Sequence, residues 1–194
     1  MMNKRVCVLL APGYEEVEAL TPVDYLRRAG ATVDIVSITD DITVESAHHV
    51  MVQADTFLAD IVPEDYDMVV VPGGVPGVPN LIDNKNVLSF IRTMAENNKW
   101  ISALCAGPKV LDEAGVLKDK VATCYPTWRE KITTAKCVTD ETVVTDGNVI
   151  TACGAGAAGY FALTLVEKLF DNATAMDVKS GVIMDIVEKN LGVN

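Results

Sequence analysis

Cys105 has the setting in this sequence that best fits a chemical role. It ends the apolar run of residues 101–104 and is followed by two small residues and Pro108, where a helix-like pattern begins. This pattern predicts a thiol on the sharp turn between a buried strand and a helix, where the helix dipole favours the thiolate. We interpret Cys105 as a nucleophile. Burial as a small apolar side chain is the alternative interpretation.

A nucleophilic cysteine needs a base or a charged partner, usually a histidine further along the chain. The two histidines, His48 and His49, are adjacent and precede Cys105, so at most one of them can face it, and a solvated or interface pair is the alternative. Glu15 and Glu16 suit the first turn of a predicted helix by charge alone. Glu18 can turn inward, where burial would raise its pKa and let it share a proton with a thiolate.

Backbone donors and further thiols complete the set of candidates. Gly73 and Gly74 follow an apolar run and, with the N–H of Ala106, can form a site for a developing oxyanion. A turn that simply needs glycine is compatible with that role. Cys124 and Cys153 each end a strand-like run and are candidate resolving thiols, with core packing as the alternative.

The elements that position these residues follow from the hydrophobic pattern, in which short apolar runs alternate with amphipathic stretches. Strands are predicted at residues 6–11, 32–38, 68–71, 100–104 and 121–124, with hairpins over 43–52 and over 141–153 around an Asp146-Gly147 turn. Helices are predicted over residues 15–29, 86–97, 106–114, 157–170 and 174–189. This alternation predicts one α/β domain, residues 1–194, with a mostly parallel sheet covered by helices on both faces. Ligands bind outside the carboxyl ends of such strands.

Composition excludes several functional classes. The chain has 16 basic and 27 acidic residues and a net charge of −11, which argues against binding to nucleic acid or to an anionic membrane. We find no apolar stretch of membrane-spanning length. The five cysteines are scattered through the sequence, which favours reduced thiols and a cytoplasmic location.

We expect neither a metal nor a cofactor. There is no C-x-x-C motif, and the two histidines are adjacent, so a structural zinc site is not predicted. Residues 154–159 read G-x-G-x-x-G between a strand and a helix. A dinucleotide site would need a later strand with an acid near its end, and the remaining residues read as helix, so we interpret this motif as a tight turn.

Taken together, the motifs resemble the ThiJ/PfpI superfamily, in the branch of the Parkinson-disease-associated protein deglycase. The resemblance covers about residues 4–190. The matching segments, in chain order, are 10–18 (LAPGYEEVE), 22–24 (PVD), 27–30 (RRAG), 69–74 (VVVPGG) and 104–108 (LCAGP). Their order and spacing make the resemblance specific.

The resemblance implies a flavodoxin-like α/β sandwich, similar to class I glutamine amidotransferases, that forms a homodimer. It implies that Cys105 is a nucleophile and an oxidation-sensitive thiol, with Glu18 as its protonated partner. Gly74 and Ala106 would supply the backbone donors to an oxyanion. The activities of the family include glyoxalase without glutathione, a debated deglycase activity, oxidative-stress sensing and chaperone function.

Three positions depart from the family pattern. The segment Cys124-Tyr125-Pro126 stands where relatives often carry a histidine near the nucleophile. Cys153 stands where relatives carry an arginine before a glycine-rich turn. Ala106 stands where the protease-like branch has histidine, which argues against peptidase activity. We expect Gly73, Cys124, Tyr125 and Cys153 to line the pocket.

The predicted function is cysteine-dependent processing of a small α-oxoaldehyde such as methylglyoxal, in the manner of a glyoxalase or deglycase. A redox sensor or chaperone with little catalysis is the first alternative, with Cys105 oxidised to the sulfinic acid or joined to Cys124 or Cys153. An amidase or isonitrile hydratase-type hydrolase is the second, because the same residues can act on another carbon.

Overall fold

The structure of this protein is a computed structural model that describes residues 4–193. The predicted domain span of 1–194 therefore includes residues 1–3 and 194, which lie outside the described residues. The strands are β1 (Arg5–Leu10), β2 (Thr32–Ser37), β3 (Thr43–Glu45), β4 (Met51–Gln53), β5 (Thr56–Phe57), β6 (Met68–Val71), β7 (Trp100–Leu104), β8 (Val121–Ala122), β9 (Lys136–Cys137), β10 (Val143–Asp146) and β11 (Val149–Ala152). The helices are α1 (Glu16–Arg28), α2 (Gly77–Asp83), α3 (Lys85–Glu96), α4 (Pro108–Glu113), α5 (Ala158–Leu169), α6 (Asn172–Gly181) and α7 (Met184–Leu191).

A seven-stranded sheet forms the centre of the molecule, in the order β10-β11-β7-β6-β1-β2-β5. Neighbouring strands are parallel except β10, which runs antiparallel to β11. The hairpin β3–β4 and the parallel pair β8–β9 lie outside this sheet. The predicted α/β fold with a mostly parallel sheet is confirmed.

The two faces of the sheet are both buried, because successive side chains of a strand point to opposite sides. In β1, Val6 and Val8 belong to the apolar cluster that includes α1 and α5. Cys7 and Leu9 belong to a second cluster on the other face, formed with α2, α3 and α4. The near-continuous apolar sequence of β1 is the consequence of this double burial.

Several predicted elements need correction. The final helix is two helices, α6 and α7, because Ile183 between them has a left-handed backbone with φ of 55°. Strands β10 and β11 pair Asp146 with Val149, so the hairpin turn is Gly147-Asn148 rather than Asp146-Gly147. The strand predicted over 121–124 ends at Ala122. Two short strands, β5 and β9, and helix α2 have no counterpart in the prediction.

The sheet order decides which loops meet. Strand β6 lies between β1 and β7, and all three are parallel, so their carboxyl ends reach the same edge of the sheet. The segments that leave this edge are residues 11–15, 72–76 and 105–107. Within the described residues, none of the helices has the length and apolar character needed to span a membrane.

Candidate active site

Cys105 is the first residue after β7, and its backbone is left-handed, with φ of 60°. This conformation is uncommon outside glycine and is held here by hydrogen bonds on both sides of the residue. Its N–H donates to Ala152 O at 2.9 Å, and its carbonyl accepts from the N–H of Tyr125 at 2.8 Å. Only glycine fits at position 107, because a Cβ there would lie 2.5 Å from Val71 O. The turn is therefore built for close approach of the nucleophile segment to the end of β6.

Glu18 lies in the first turns of α1 and is completely buried. Its Oε2 accepts a hydrogen bond from the N–H of Gly73 at 2.8 Å. The side chain of Cys105 lies on the other side of Gly73 from this carboxyl. The other carboxylate oxygen, Oε1, is buried and has no hydrogen-bond partner among the described residues. An oxygen without a partner in a buried site favours the protonated carboxyl over the ion.

Gly73 separates the two functional side chains. A Cβ built on Gly73 would lie 2.6 Å from Glu18 Oε2 and 2.8 Å from Cys105 Cβ. The next residue, Gly74, has φ of 98°, and a Cβ there would lie 2.5 Å from Gly13 O. Both glycines are thus required by the close packing of the loops that follow β1, β6 and β7.

The proton of this pair is shared unequally. Burial raises the pKa of the Glu18 carboxyl from its ordinary 4.5 to about 7, although its hydrogen bonds with Cys105 and Gly73 act in the opposite direction. Burial, and then the charge of an ionised Glu18, raises the pKa of the Cys105 thiol. Protonation of Glu18 removes its charge and lets its O–H donate to a thiolate.

The expected backbone donors lie beside this pair. The N–H of Ala106 donates to the sulfur of Cys105, which lowers the pKa of the thiol and opposes the effect of burial. The N–H of Gly74 has no main-chain acceptor among the described residues. The N–H of Gly73 is already used by Glu18. The predicted pair of donors, Gly74 and Ala106, is therefore compatible with a negatively charged oxygen bound next to the sulfur.

The histidines face the start of α1 and not the thiol. His48 Nδ1 lies 3.0 Å from Glu16 Oε1 and 3.7 Å from Glu15 Oε1, and its side chain is 65% exposed. His49 Nδ1 lies 2.6 Å from Glu45 Oε1 on the hairpin β3–β4. The carboxylates, Glu16 first, raise the pKa of His48. Glu15, Glu16 and His48 offer donor atoms within 4.8 Å of one another, the spacing of a possible cation site.

The remaining candidate residues divide between two places. Tyr125 is half-exposed and its ring lies against Gly154, so Tyr125 and the half-buried Cys153 share a cleft of about 610 Å³. Cys124 is buried in the apolar cluster on the α3–α4 face of the sheet, and its thiol donates to the carbonyl of Tyr125 at 3.6 Å. Within residues 4–193, neither Cys124 nor Cys153 hydrogen-bonds with Cys105. Their role as resolving thiols stays a prediction.

Sequence reasoning missed Arg129, which follows Tyr125 in a 3₁₀ helix and lines the same cleft. Its buried Nε has no hydrogen-bond partner among the described residues. The spacing of the sequence gives no signal for this position.

The G-x-G-x-x-G segment forms a tight turn in which Gly154 is extended, with φ of 159°, and a 3₁₀ turn leads into α5. No strand follows it in the described residues, so the geometry of a dinucleotide site is missing.

Comparisons with known proteins agree with this geometry. The sequence model of the DJ-1/PfpI family matches residues 4–168. Protein dj-1beta of Drosophila melanogaster is 35% identical over 184 residues, which cover 94% of this chain and 98% of the fly protein. The crystal structure of Drosophila melanogaster DJ-1beta superposes with a TM-score of 0.91 and 36% identity, over 94% of this chain and 98% of that one.

A longer relative shows that the same unit occurs within larger chains. Protein DJ-1 homolog B of Arabidopsis thaliana is 32% identical over 183 residues, which are 94% of this chain and only 42% of the plant protein. The match of a family model to most of the chain, and the full-length match to the fly protein, lead to one conclusion. The chain belongs to the DJ-1/PfpI family.

Proposed function

We propose that this protein is an enzyme that converts small α-oxoaldehydes, such as methylglyoxal, into α-hydroxy acids by way of Cys105. The observation that carries the proposal is the pairing of a partly exposed thiol with a buried carboxyl whose pKa is raised to about 7. A group with a pKa near neutrality can both give and accept a proton at physiological pH. Family membership is consistent with this chemistry.

The first step forms a bond between Cys105 Sγ and the aldehyde carbon. The thiol proton passes to Glu18, and the carbonyl oxygen becomes an oxyanion next to the N–H groups of Gly74 and Ala106. Glu18 gives this proton to the oxyanion, and its carboxylate then takes the hydrogen of the former aldehyde carbon as a proton, which leaves an enediolate. Glu18 returns that proton to the neighbouring ketone carbon, the hydroxyl proton moves to the former ketone oxygen, and the product is a thioester. Water hydrolyses the thioester and releases the thiol. The sum is one oxoaldehyde plus one water to one hydroxy acid, so no external oxidant is required.

The cleft lined by Tyr125 adjoins the turn of Cys105, because the N–H of Tyr125 donates to the carbonyl of Cys105 at 2.8 Å. Arg129 supplies a guanidinium to a cleft that also contains Cys153 and the turn at Gly154. A guanidinium without an ion-pair partner within the described residues favours a ligand that carries a carboxylate. We propose that Arg129 compensates for the histidine and arginine that relatives carry near Tyr125 and Cys153.

The test is turnover of methylglyoxal to lactate by the purified protein. Cys105→Ala should lower turnover by at least about 10³-fold, because the nucleophile is lost. Cys137→Ser is the matched control, since it removes a half-buried thiol elsewhere, and it should retain turnover. Equal turnover by Cys105→Ala and the unmodified protein would contradict the proposal.

A redox sensor is the second candidate, favoured by the unpartnered Glu18 Oε1 next to the thiol. A protonated carboxyl there can donate to an oxygen added to Cys105 sulfur and so stabilise a sulfinic acid. Mass spectrometry after mild peroxide distinguishes this function: Cys105 should gain two oxygens before Cys7 gains any. Equal oxidation of the two thiols would argue against it.

The assembly we propose is a homodimer in the cytoplasm. Val17 and Met51 are apolar and 48% and 59% exposed. Their segments are joined by the Glu16–His48 contact and by the bond from Ala47 N to Tyr14 O, and we propose that both residues belong to the dimer surface. Val17→Glu should therefore yield a monomer in light scattering, whereas Met176→Glu, on the exposed surface of α6, should not.

All five cysteines are free, which supports a reducing compartment.

A further inference from the structure

The segment of residues 125–134, which carries Arg129, is held at both ends by the part of the chain that contains the nucleophile. At its start, the N–H of Tyr125 donates to the carbonyl of Cys105 at 2.8 Å. At its end, two threonines donate to the carboxylate of Asp112 in α4, the helix that follows the Cys105 turn. We propose that Asp112 is a positioning residue, which keeps Arg129 in the cleft beside Cys105 and so sets the affinity for substrate and product. This inference rests on the proposed function and adds a residue to the same site.

The carboxylate of Asp112 is buried, and each of its oxygens has two donors. The side chain is 3% exposed. Oδ1 accepts from the N–H of Thr134 at 3.2 Å and from the hydroxyl of the same residue. Oδ2 accepts from the N–H of Thr133 at 3.3 Å and from Lys109 Nζ at 2.8 Å. Burial acts to raise the pKa of Asp112, but Lys109 and the two threonines hold it below its ordinary value, so the ionised form holds the segment.

Apolar packing does little to hold the segment. Of residues 125–134, Ile132 is the only one that is buried. The regular structure in this stretch is a 3₁₀ helix, whose hydrogen-bond geometry is poorer than that of an α-helix. A stretch with little buried apolar surface opens easily unless polar contacts fix it. The three donors to Asp112, with a main-chain bond from the N–H of Asp119 to Thr134 O at 3.0 Å, therefore fix the far end.

Arg129 lies midway between the two attachments, four residues after Tyr125 and four before Thr133. The N–H of Ile132 donates to the carbonyl of Arg129 at 3.2 Å, which ties Arg129 to the end held by Asp112. The side chain of Arg129 lines the cleft, and its buried Nε has no hydrogen-bond partner among the described residues. A misplacement of about 1 Å is enough to weaken a charge-assisted hydrogen bond. A shift of the segment should therefore weaken binding of the ketone oxygen of the substrate and of the carboxylate of the product.

The reacting pair is held by other parts of the fold. Glu18 belongs to α1 and accepts from the N–H of Gly73 at 2.8 Å. Within residues 4–193, Asp112 has no hydrogen bond with Glu18 or with Cys105. Loss of the Asp112 carboxylate should therefore raise KM and the inhibition constant of lactate, and it should leave kcat and the pH midpoint of Cys105 alkylation unchanged. A general loss of folded protein would lower kcat instead.

The experiment compares Asp112→Asn with the unmodified protein in the conversion of methylglyoxal to lactate, with sodium lactate added as a product inhibitor. The amide presents its own N–H groups to the donors on Thr133 and Lys109, so those two contacts are lost. We expect KM and the inhibition constant of lactate to rise about tenfold, with kcat within about twofold. The proposal is overturned if KM is unchanged, or if the loss in kcat/KM lies in kcat.

A pair of threonine variants repeats the test at exposed positions, where a substitution seldom prevents folding. Thr134→Val removes the hydroxyl that donates to Asp112 Oδ1. Thr127→Val makes the same change in the same segment, at a hydroxyl that has no hydrogen-bond partner among the described residues. Thr134→Val should raise KM about threefold, and Thr127→Val should leave KM unchanged. Equal KM values in the two variants would overturn the proposal.

A separate readout distinguishes failure of this inference from failure of the proposed function. If the unmodified protein does not turn over methylglyoxal, the proposed function is wrong, and modification by diacetyl, an arginine reagent that is not an aldehyde, then reports the position of Arg129. Mass spectrometry of the Arg129 peptide should show faster modification in Asp112→Asn and Thr134→Val than in the unmodified protein, because the guanidinium leaves its buried position. Thr127→Val should match the unmodified protein. Equal rates in all four proteins would overturn the positioning role.

Discussion

Glu18 and Cys105 face one another across Gly73 at the end of β6, because a Cβ built on Gly73 would lie 2.6 Å from Glu18 Oε2 and 2.8 Å from Cys105 Cβ. One residue comes from the first helix and the other from the turn after β7, so neither sequence segment contains the pair. The contact exists because β1, β6 and β7 are adjacent and parallel. Burial raises the pKa of the Glu18 carboxyl to about 7, and burial together with the charge of an ionised Glu18 raises the pKa of the Cys105 thiol, so the protonation states of the two groups depend on one another.

Glu18→Gln should lower methylglyoxal turnover by about 10²–10⁴-fold, because an amide cannot accept and return a proton. The amide oxygen still accepts from Gly73 N–H, so the fold should persist. The measurement is lactate formation at pH 7. Glu16→Gln, in the same turn of α1 but paired with His48, is the control and should change turnover by less than about threefold. Equal losses in both variants would assign the effect to the helix end and not to proton transfer.

The same variant should make Cys105 more reactive toward iodoacetamide while it makes the enzyme slower. The charge of Glu18 raises the pKa of the Cys105 thiol, so removal of that charge should shift the midpoint of alkylation against pH downward by about one unit. Mass spectrometry of the Cys105 peptide over a pH series measures this shift. A midpoint that is the same in Glu18→Gln and in the unmodified protein would show that no charge interaction joins the two groups.

Stability should fall as the pH rises from about 5 to 8. The pKa of Glu18 is raised in the folded protein to about 7 from 4.5, so the folded state binds this proton more tightly than the unfolded state does. The stabilisation by the proton is complete below the unfolded pKa and is lost as the pH rises through the folded pKa. The loss amounts to about 3 kcal/mol.

Urea unfolding at several pH values measures this loss as the difference in the free energy of unfolding between the unmodified protein and Glu18→Gln. Other titrating groups cancel in that difference. Between pH 5 and pH 8 we expect the unmodified protein to lose stability relative to the variant. A difference that does not change with pH would contradict the raised pKa of Glu18.

Gly73→Ala should disable the site and destabilise the fold by about 1–3 kcal/mol, since its methyl group would overlap Glu18 Oε2 and Cys105 Cβ. Turnover and the urea midpoint should fall together. Gly181→Ala, in α6, provides the matched glycine control, because a Cβ at Gly181 meets no atom within 4 Å. That control should unfold within about 1 kcal/mol of the unmodified protein. If Gly73→Ala were as stable and as active as Gly181→Ala, the close approach at Gly73 would have no functional importance.

The local hydrophobic pattern predicts much of the fold, and it predicts the turn that carries Cys105. The apolar run before Cys105 and the small residues after it predict a strand–helix turn, and the structure has that turn. The continuous helix predicted across Ile183 is wrong because periodicity does not register a single left-handed residue. The shift of the hairpin turn to Gly147-Asn148 has a similar origin, since strand register depends on the pairing of both strands.

The sequence by itself determined the types of group available: one cysteine on a strand–helix turn, a cluster of glutamates at a helix start, and no histidine after position 49. Only the tertiary structure decided which groups meet. It buried Glu18 against Gly73 and Cys105, and it directed His48 to Glu16. The reason is that burial sets the pKa values of these groups and strand order sets their contacts. Both arise only when the whole chain folds, so no short segment of the sequence contains them.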